Sequence, residues 1–458
     1  MKMSSLSNLK RTAAPLIHRL PPEILLEVVS ILLDKNSRNM IFPSHVCRLW
    51  RRLIIQSALL WTCIVLGDRN EYGVSSYLLA VFERAREHPM SLSITPDNDQ
   101  RDPYGLLEDV ILMSPIECKW RSISYTSDKI EDFTFFFKDD IDVSHLEVFS
   151  FTCRKRGYGS IEWDLPEGVV DFRPFTKLRS LTLDFTQRLV PAKVFAPWDQ
   201  LTDLTITSRI YADQYLIILR QCVNLEKCCL RPAIRSEDDS DIESDEDEEK
   251  DNQEPLLFRK LRRLEVATDA PLTLIPSLLE CPALEEAIIH YEVEEEEGEC
   301  NELMSLLRRC GKTLRKVQLP GLACYDFKYI QQELSTLEDL TISGSMGWPS
   351  FDKHNEDSDH ERNAYKDGTR SFLEPLIAHP EYLPQLKTLR IINQRIEERV
   401  LLERLLSRFV EARLSTKNGG SELQEVVFGL DKVASQEQRA RRKKWSQWRN
   451  NGVRMKFN

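Results

Sequence analysis

Apolar positions along most of this chain follow two alternating patterns. One is a six-residue phrase, L-x-x-L-x-L, found as LRSLTL at Leu178, LTDLTI at Leu201, LRRLEV at Leu261, LEDLTI at Leu337 and LKTLRI at Leu386. Weaker copies begin at Pro89, Trp120, Leu146, Leu225, Leu284, Leu314 and Leu423. The end of each phrase alternates apolar and polar, the period-two mark of a strand, so Leu181 and Leu183 point inward and Thr182 and Asp184 outward. Between the phrases lie helical patterns: DQYLIILRQC, TLIPSLLEC, NELMSLLRRC, DFKYIQQEL and ERVLLERLLSRFVEARL. In the first of these, Tyr215, Leu216, Leu219 and Cys222 fall on one helical face.

The phrases recur at a near-constant interval. Leu178 to Leu201 is 23 residues, Leu201 to Leu225 is 24, and Leu261 to Leu284 is 23. A strand–helix pair cannot bury its apolar side alone, so such units stack. The expectation is an α/β chain whose repeats form a curved parallel sheet with helices outside. Two long gaps carry polar inserts, an acidic one over 236–254 and FDKHNEDSDHERNAYKDG within 345–370. The period and the helix-to-strand joints, as in LRQCVNLEKCCL and LLECPALEEAII, resemble the leucine-rich repeats of fungal F-box proteins over roughly residues 85–430.

The head has a different pattern. After Pro21 and Pro22, which suit a helix entry, Ile24, Leu25, Val28, Ile31 and Leu32 recur as one apolar stripe. DKNSRN breaks that helix. Val46, Leu49, Trp50, Leu53 and Ile54 predict a second helix starting near Ser44, a good N-cap type. The order L-P-x-E-I-L at Leu20, V-C-R-x-W-R at Val46 and L-W at Leu60 resembles the F-box motif over residues 17–65.

That resemblance implies docking onto a Skp-type adaptor of a cullin–RING ubiquitin ligase. Leu20, Pro21, Ile24 and Val46 would face the adaptor, while Cys47, Trp50 and Trp61 would hold the helices together. Pro43, just before the second block, departs from the pattern and would shorten that helix. Without the resemblance, the same head reads as an amphipathic cap on the first repeat. The organisation expected is a flexible N-terminus over 1–16, an F-box over 17–65 and a leucine-rich-repeat solenoid over 66–458 with the two inserts.

Composition narrows the remaining possibilities. The 458 residues hold no run approaching the roughly 20 apolar residues of a membrane span. ILLEVVSILL is interrupted by Glu27 and lacks the flanks of a secretory signal. Eleven scattered cysteines with no C-x-x-C pair, and no N-x-S/T site, predict reduced thiols in the cytoplasm or nucleus. The net charge of -11 comes almost wholly from 236–251, where eleven acidic residues accompany one lysine. Such a run reads first as a solvated insert. A sharper reading notes that Ser236, Ser240 and Ser244 each have an acid three residues on, suiting an acid-directed kinase. EVEEEEGE over 292–299 reads as an exposed repeat junction.

No convergent nucleophile, acid–base pair or metal-ligand spacing appears among the eight histidines and the cysteines. Gly157 and Gly159 have Glu162 where a dinucleotide loop needs its third glycine. No active site, cofactor or metal is therefore expected. RARRKKWSQWRNN near the C-terminus suggests either nucleic-acid contact or a nuclear import signal, or a last helix with Trp445 and Trp448 on its packed side, Gly452 at its end and RMKF as a closing strand. The packed reading is preferred, so nucleic acid is not an expected partner. A protein target would meet the outward strand positions Thr182, Asp184, Thr205, Thr207, Glu265, Ile288, His290, Gln318, Thr341, Arg390 and Ile392. The expected role is a substrate-recognition adaptor of a Skp–cullin–F-box ligase; the alternative is a non-catalytic scaffold that directs no ubiquitin transfer.

Overall fold

The computed structural model of the chain describes residues 20–32, 37–67, 74–95, 103–115, 118–137, 142–153, 170–185, 194–233, 255–268, 279–291, 300–320, 334–343, 372–394, 399–415, 423–430 and 453–457. They form a mixed α/β structure in two compact units, Met1–Lys155 with Pro174–Lys177, and Arg156–Arg173 with Leu178–Asn458. The first unit thus takes in the helical head together with the first strands. None of the described helices is long and apolar enough to cross a membrane.

In the first unit the head comprises α1 (Pro22–Leu32), a 3-10 turn (Ser37–Met40), α2 (Ile41–Ser44), α3 (Arg48–Gln56) and a second 3-10 turn (Ala58–Trp61). It leads into β1 (Cys63–Leu66), α4 (Val74–Ala85), β2 (Met90–Ile94), α5 (Pro103–Met113), β3 (Trp120–Ser127), a 3-10 helix (Ile130–Phe137) and β4 (Val148–Cys153). The four strands pair in parallel in chain order. The turn ending in the buried Met40 packs on β1, so the head covers that strand.

Aromatic rings fill this core. Phe133, Phe136, Phe149, Phe151 and Tyr125 are buried together, with ring centroids 4.9 to 6.3 Å apart. Buried Asp132 sits among them and accepts hydrogen bonds from Tyr125 Oη at 3.0 Å and Ser127 Oγ at 2.5 Å. These bonds offset the cost of taking a carboxyl group out of water.

The second unit runs through β5 (Val170–Asp171), β6 (Ser180–Asp184), β7 (Val194–Phe195), β8 (Asp203–Tyr211), α6 (Ala212–Leu219), β9 (Lys227–Ala233), β10 (Leu256–Leu257), β11 (Arg263–Thr268), β12 (Leu279–Glu280) and β13 (Glu286–Tyr291). It continues with α7 (Cys300–Cys310), β14 (Lys316–Pro320), β15 (Asp339–Ser343), α8 (372–378), β16 (Thr388–Gln394), α9 (Arg399–Ser415), β17 (Glu425–Leu430) and β18 (Arg454–Phe457). Ten of its strands form a parallel series in the order β6-β8-β9-β11-β13-β14-β15-β16-β17-β18. β5 pairs with β7 and β10 with β12 as separate two-residue ladders.

The repeated phrase explains this regularity. Its first leucine is buried in each copy from Leu178 to Leu386, and three residues earlier stands another buried group: Trp198, Cys222, Phe258, Cys281, Leu334 and Leu383. In the ten-strand series, the residue before each strand from β6 to β16 offers its carbonyl to two successive N–H groups of the next unit. Arg262 O accepts from Glu285 and Glu286, both at 2.8 Å, and Glu285 O from Arg315 and Lys316 at 2.8 and 3.0 Å. Each joint thereby satisfies the backbone groups that a buried turn would otherwise strand. At Gly311 an added Cβ would lie 3.1 Å from Leu334 Cδ2, so the glycine lets α7 approach the next joint closely.

Two local expectations change. Leu279 and Glu280, near the end of the TLIPSLLEC helical pattern, form strand β12, followed by buried Cys281; 273–278 lie outside the described residues. The second head helix begins at Arg48, with extended Cys47 as its N-cap, and not near Ser44. Ser44 closes α2 instead, donating through Oγ to Ile41 O at 2.6 Å. Residues 1–16, the inserts over 236–254 and 345–370, the run 292–299, DFKYIQQEL apart from Leu334, the Gly157–Gly159 loop, and the tryptophans and Gly452 of the basic segment lie outside the described residues; RMKF forms β18.

Candidate docking surfaces

The head presents the first surface. Helix α1 carries apolar residues on two sides. Leu25 and Val29 are 3 % and 2 % exposed, whereas Ile24 and Ile31 are 50 % and 70 % exposed, and Val28 and Leu20 are open with them. At about 100° per residue, Ile24, Val28 and Ile31 share one narrow arc and Leu25 and Val29 another. The single stripe expected from the sequence is therefore two stripes, one packed and one free.

Ile41 and Phe42 on α2 and Val46 in the following turn are also exposed. Helix α3 packs against both α1 and α2 and so holds them in one unit. Arg51 Nε donates to Ser44 O at 3.1 Å and fixes the turn carrying Val46. Nine of the sixteen large apolar side chains exposed among the described residues lie between 20 and 59, which makes the head the place where apolar surface is left over. Of the expected adaptor-facing residues, Leu20, Pro21, Ile24 and Val46 are all exposed. Val28, Ile31, Ile41 and Phe42 were missed. Ile41 and Phe42 sit on a four-residue helix too short to show a period; Val28 and Ile31 were visible only as part of an undivided stripe.

The expected interior residues divide. Trp61 is buried, donates from Nε1 to Ile54 O at 2.8 Å, and carries the Arg84 guanidinium 4.5 Å above its ring. Trp50 is half-buried; its Nε1 lies out of water with no hydrogen-bond partner among the described residues. Cys47 is half-buried at the start of α3.

No protein-family model matches this chain, and no curated protein compared with it does.

The second surface is one face of the ten-strand series. The register aligns Thr182, Thr205, Cys229, Glu265, Ile288, Gln318, Thr341, Arg390 and Val427 in one cross-strand row. Seven of the eleven expected target-facing positions thus stand in a single line. Asp184, Thr207, His290 and Ile392 lie two residues further along their strands, on the same side. Thr207 Oγ1 donates to Asp184 Oδ1 at 2.5 Å.

Ile288 and Thr341 are only 6 % and 4 % exposed, although the sequence placed them outward for contact. Glu265 and Gln318 flank Ile288 in register, and Gln318 and Arg390 flank Thr341; beneath such longer neighbours the shorter side chains pack rather than project. Cys229 and Val427 belong to the row but were not anticipated, because both carry apolar character at outward positions.

Charge on this face is matched by neighbours. Glu286 bridges Arg263 at 3.2 Å and Lys316 at 2.5 Å, and Arg390 spans Asp339 at 2.7 Å and Glu425 at 3.4 Å. Lys227 meets Asp203 at 3.0 Å, and Glu265 lies 3.0 Å from Arg263 and 3.9 Å from His290. Burial pushes the Cys222, Cys229 and Cys281 thiols up to about 12 and raises Cys228 and Cys310. Thiols so placed stay protonated near neutral pH and are poor nucleophiles.

Proposed function

We propose that this chain is the substrate-recognition subunit of a Skp–cullin–F-box ubiquitin ligase, its head an F-box and its second unit a leucine-rich-repeat array. In this reading the head docks the Skp-type adaptor and the array holds a protein target. The observation that carries it is the second apolar side of α1. A helix that only capped β1 would need Leu25 and Val29 alone; the open row of Leu20, Ile24, Val28 and Ile31 has no use in the packed head. Each such side chain offers about 1.5–3 kcal/mol on full burial, and helix-in-groove docking uses anchors spaced in this way. The resemblance of L-P-x-E-I-L, V-C-R-x-W-R and L-W to the F-box motif supports the same partner.

Co-expression of the full chain with a Skp-type adaptor tests this. The wild type should co-purify with the adaptor, and the double change Leu20→Ala with Pro21→Ala should abolish that association while circular dichroism stays the same. Retention of the adaptor by the double variant, or by a chain lacking residues 17–65, would remove the reading. Adaptor binding without cullin recruitment would favour the non-catalytic scaffold.

A further inference from the structure

The first residues of the strands from β8 to β18 align in one cross-strand row. From Glu286 on β13 the charge in this row alternates strand by strand, with Arg390 standing in for Thr388 on β16. Glu286 lies between Arg263 and Lys316, and Arg390 reaches both Asp339 and Glu425. The row ends on Arg454, the first residue of β18. Its register neighbour Glu425 is turned to Arg390 and has a side chain only 16 % exposed. Arg454 is exposed and has no ion-pair partner among the described residues.

The backbone of β18 is open as well. It is the last strand in the sheet order and pairs only with β17 among the described residues. Arg454 N–H donates to Gln424 O at 2.8 Å, which turns the backbone groups of Arg454 and Lys456 toward β17. Successive residues of a strand point these groups to opposite sides, so the N–H and C=O of Met455 and Phe457 point away from the sheet. Such a row of unpaired groups is a template for one more strand. Every second side chain of an added strand shares the face of Arg454, and a carboxylate there continues the alternation of charge. A second copy of this chain does not, because pairing through this edge sets Arg454 and Lys456 of one copy against the same cations of the other.

We propose that β18 takes an extended segment of a partner protein as an added strand, with Asp or Glu facing Arg454 and a second acid two residues away. The backbone of the segment bonds to Met455 and Phe457, and its carboxylates select it among extended chains. The site extends the target-holding role of the array and rests on that role only for the segment's belonging to a target.

The test needs no adaptor, so its failure is separable from failure of head docking. A fluorescein-labelled peptide alternating glutamate with threonine is titrated into the full chain and followed by anisotropy. Saturable binding is expected, weakening as salt rises. N-methylation of alternate amides separates strand addition from charge attraction. Methylating the glutamate amides should abolish binding if the segment runs parallel to β18, and methylating the threonine amides should do so if it runs antiparallel; the other set should be tolerated.

Arg454→Ala should weaken binding about threefold, the scale of one exposed ion pair, and Arg454→Glu should shift the preference to a peptide with lysine in place of glutamate. Met455→Pro removes an outward N–H from an edge strand, where proline is tolerated. It should weaken binding about fivefold, as for one lost hydrogen bond, with the unfolding midpoint unchanged. Lys227→Ala, in the same row but on an inner strand, should leave binding as it is.

Absence of binding, equal effects of the two methylation patterns, or indifference to Arg454→Glu would overturn the proposal. So would a concentration-dependent dimer of the full chain that Met455→Pro dissolves, since the edge would then belong to a second copy.

Discussion

The two units solve the same packing problem with different side chains and are left with different surfaces. The first packs phenylalanine and tryptophan under four strands and still has apolar residues to spare on α1 and α2. The second packs leucine and cysteine under ten strands, and its open face is polar with its charges already paired. Surplus apolar area can supply binding energy wherever a complementary groove covers it. A neutralised polar face gains little from simple burial, because every ion pair it hides must be replaced by contacts as good. On the proposed reading the head would supply affinity and the sheet discrimination. The largest expected effect tests the packed side of the head. Trp61→Ala removes a buried ring, its bond to Ile54 O and the Arg84 contact, and should cost about 3–5 kcal/mol in denaturant unfolding of the first unit. A cost below about 1 kcal/mol would mean that the head is not part of that unit's core.

Alkaline pH separates the two cores. An ordinary thiol titrates near 9.0, while Cys222 and Cys281 hold their protons to about 12 because burial disfavours the thiolate. Between those values the unfolded chain has lost protons that the folded chain keeps, so stability falls as pH rises. Among the described residues five such thiols belong to the second unit and one, Cys118, to the first. Melting followed from pH 8.5 to 11 should show the second unit losing stability faster, and Cys222→Ala should flatten its slope. Equal slopes with and without Cys222 would show that its burial does not matter to this loss.

Strands were legible in the sequence wherever alternation and the leading leucine coincided, as at Leu178, Leu261 and Leu386, because period two and the joint both demand those residues. What the sequence left open was which side of an apolar helix faces the core. Ile24 and Leu25 are equally apolar, and only the position of α3 decides that one packs and the other does not. The start of α3 was misplaced for a related reason: Ser44 has the chemistry of an N-cap, but Pro43 and the turn through Val46 make it the end of α2. The ion-pair row through Arg263, Glu286 and Lys316 was present as alternating charge at the first strand residue. It went unread because cross-strand neighbours lie more than twenty residues apart.

Ile288 refines the comparison from the side of the sheet. It stands in the row expected to meet a target, yet it is nearly as buried as the core. If it is packing rather than contact, Ile288→Ala should cost about 1–2 kcal/mol, less than a fully enclosed isoleucine because Ala can be covered by Glu265 and Gln318. Thr182→Ala in the same row should change stability by less than about 0.5 kcal/mol. Equal, negligible costs would return Ile288 to the contact surface.

The smallest expected effect bears most directly on function. Ile24→Ser with Ile31→Ser removes two exposed apolar side chains from α1 without touching Leu25 or Val29. Serine is a weaker helix former than isoleucine by only a few tenths of a kcal/mol, so the unfolding midpoint of the first unit should move by no more than about 2 °C. A residue that contributes nothing to folding yet exposes hydrophobic surface is costly to keep unless something covers it. An unchanged midpoint together with loss of adaptor binding would divide α1 into a structural side and a binding side. A large fall in the midpoint would show instead that both sides of α1 are spent on the fold, and the contrast between a head with surface to spare and a sheet with none would disappear.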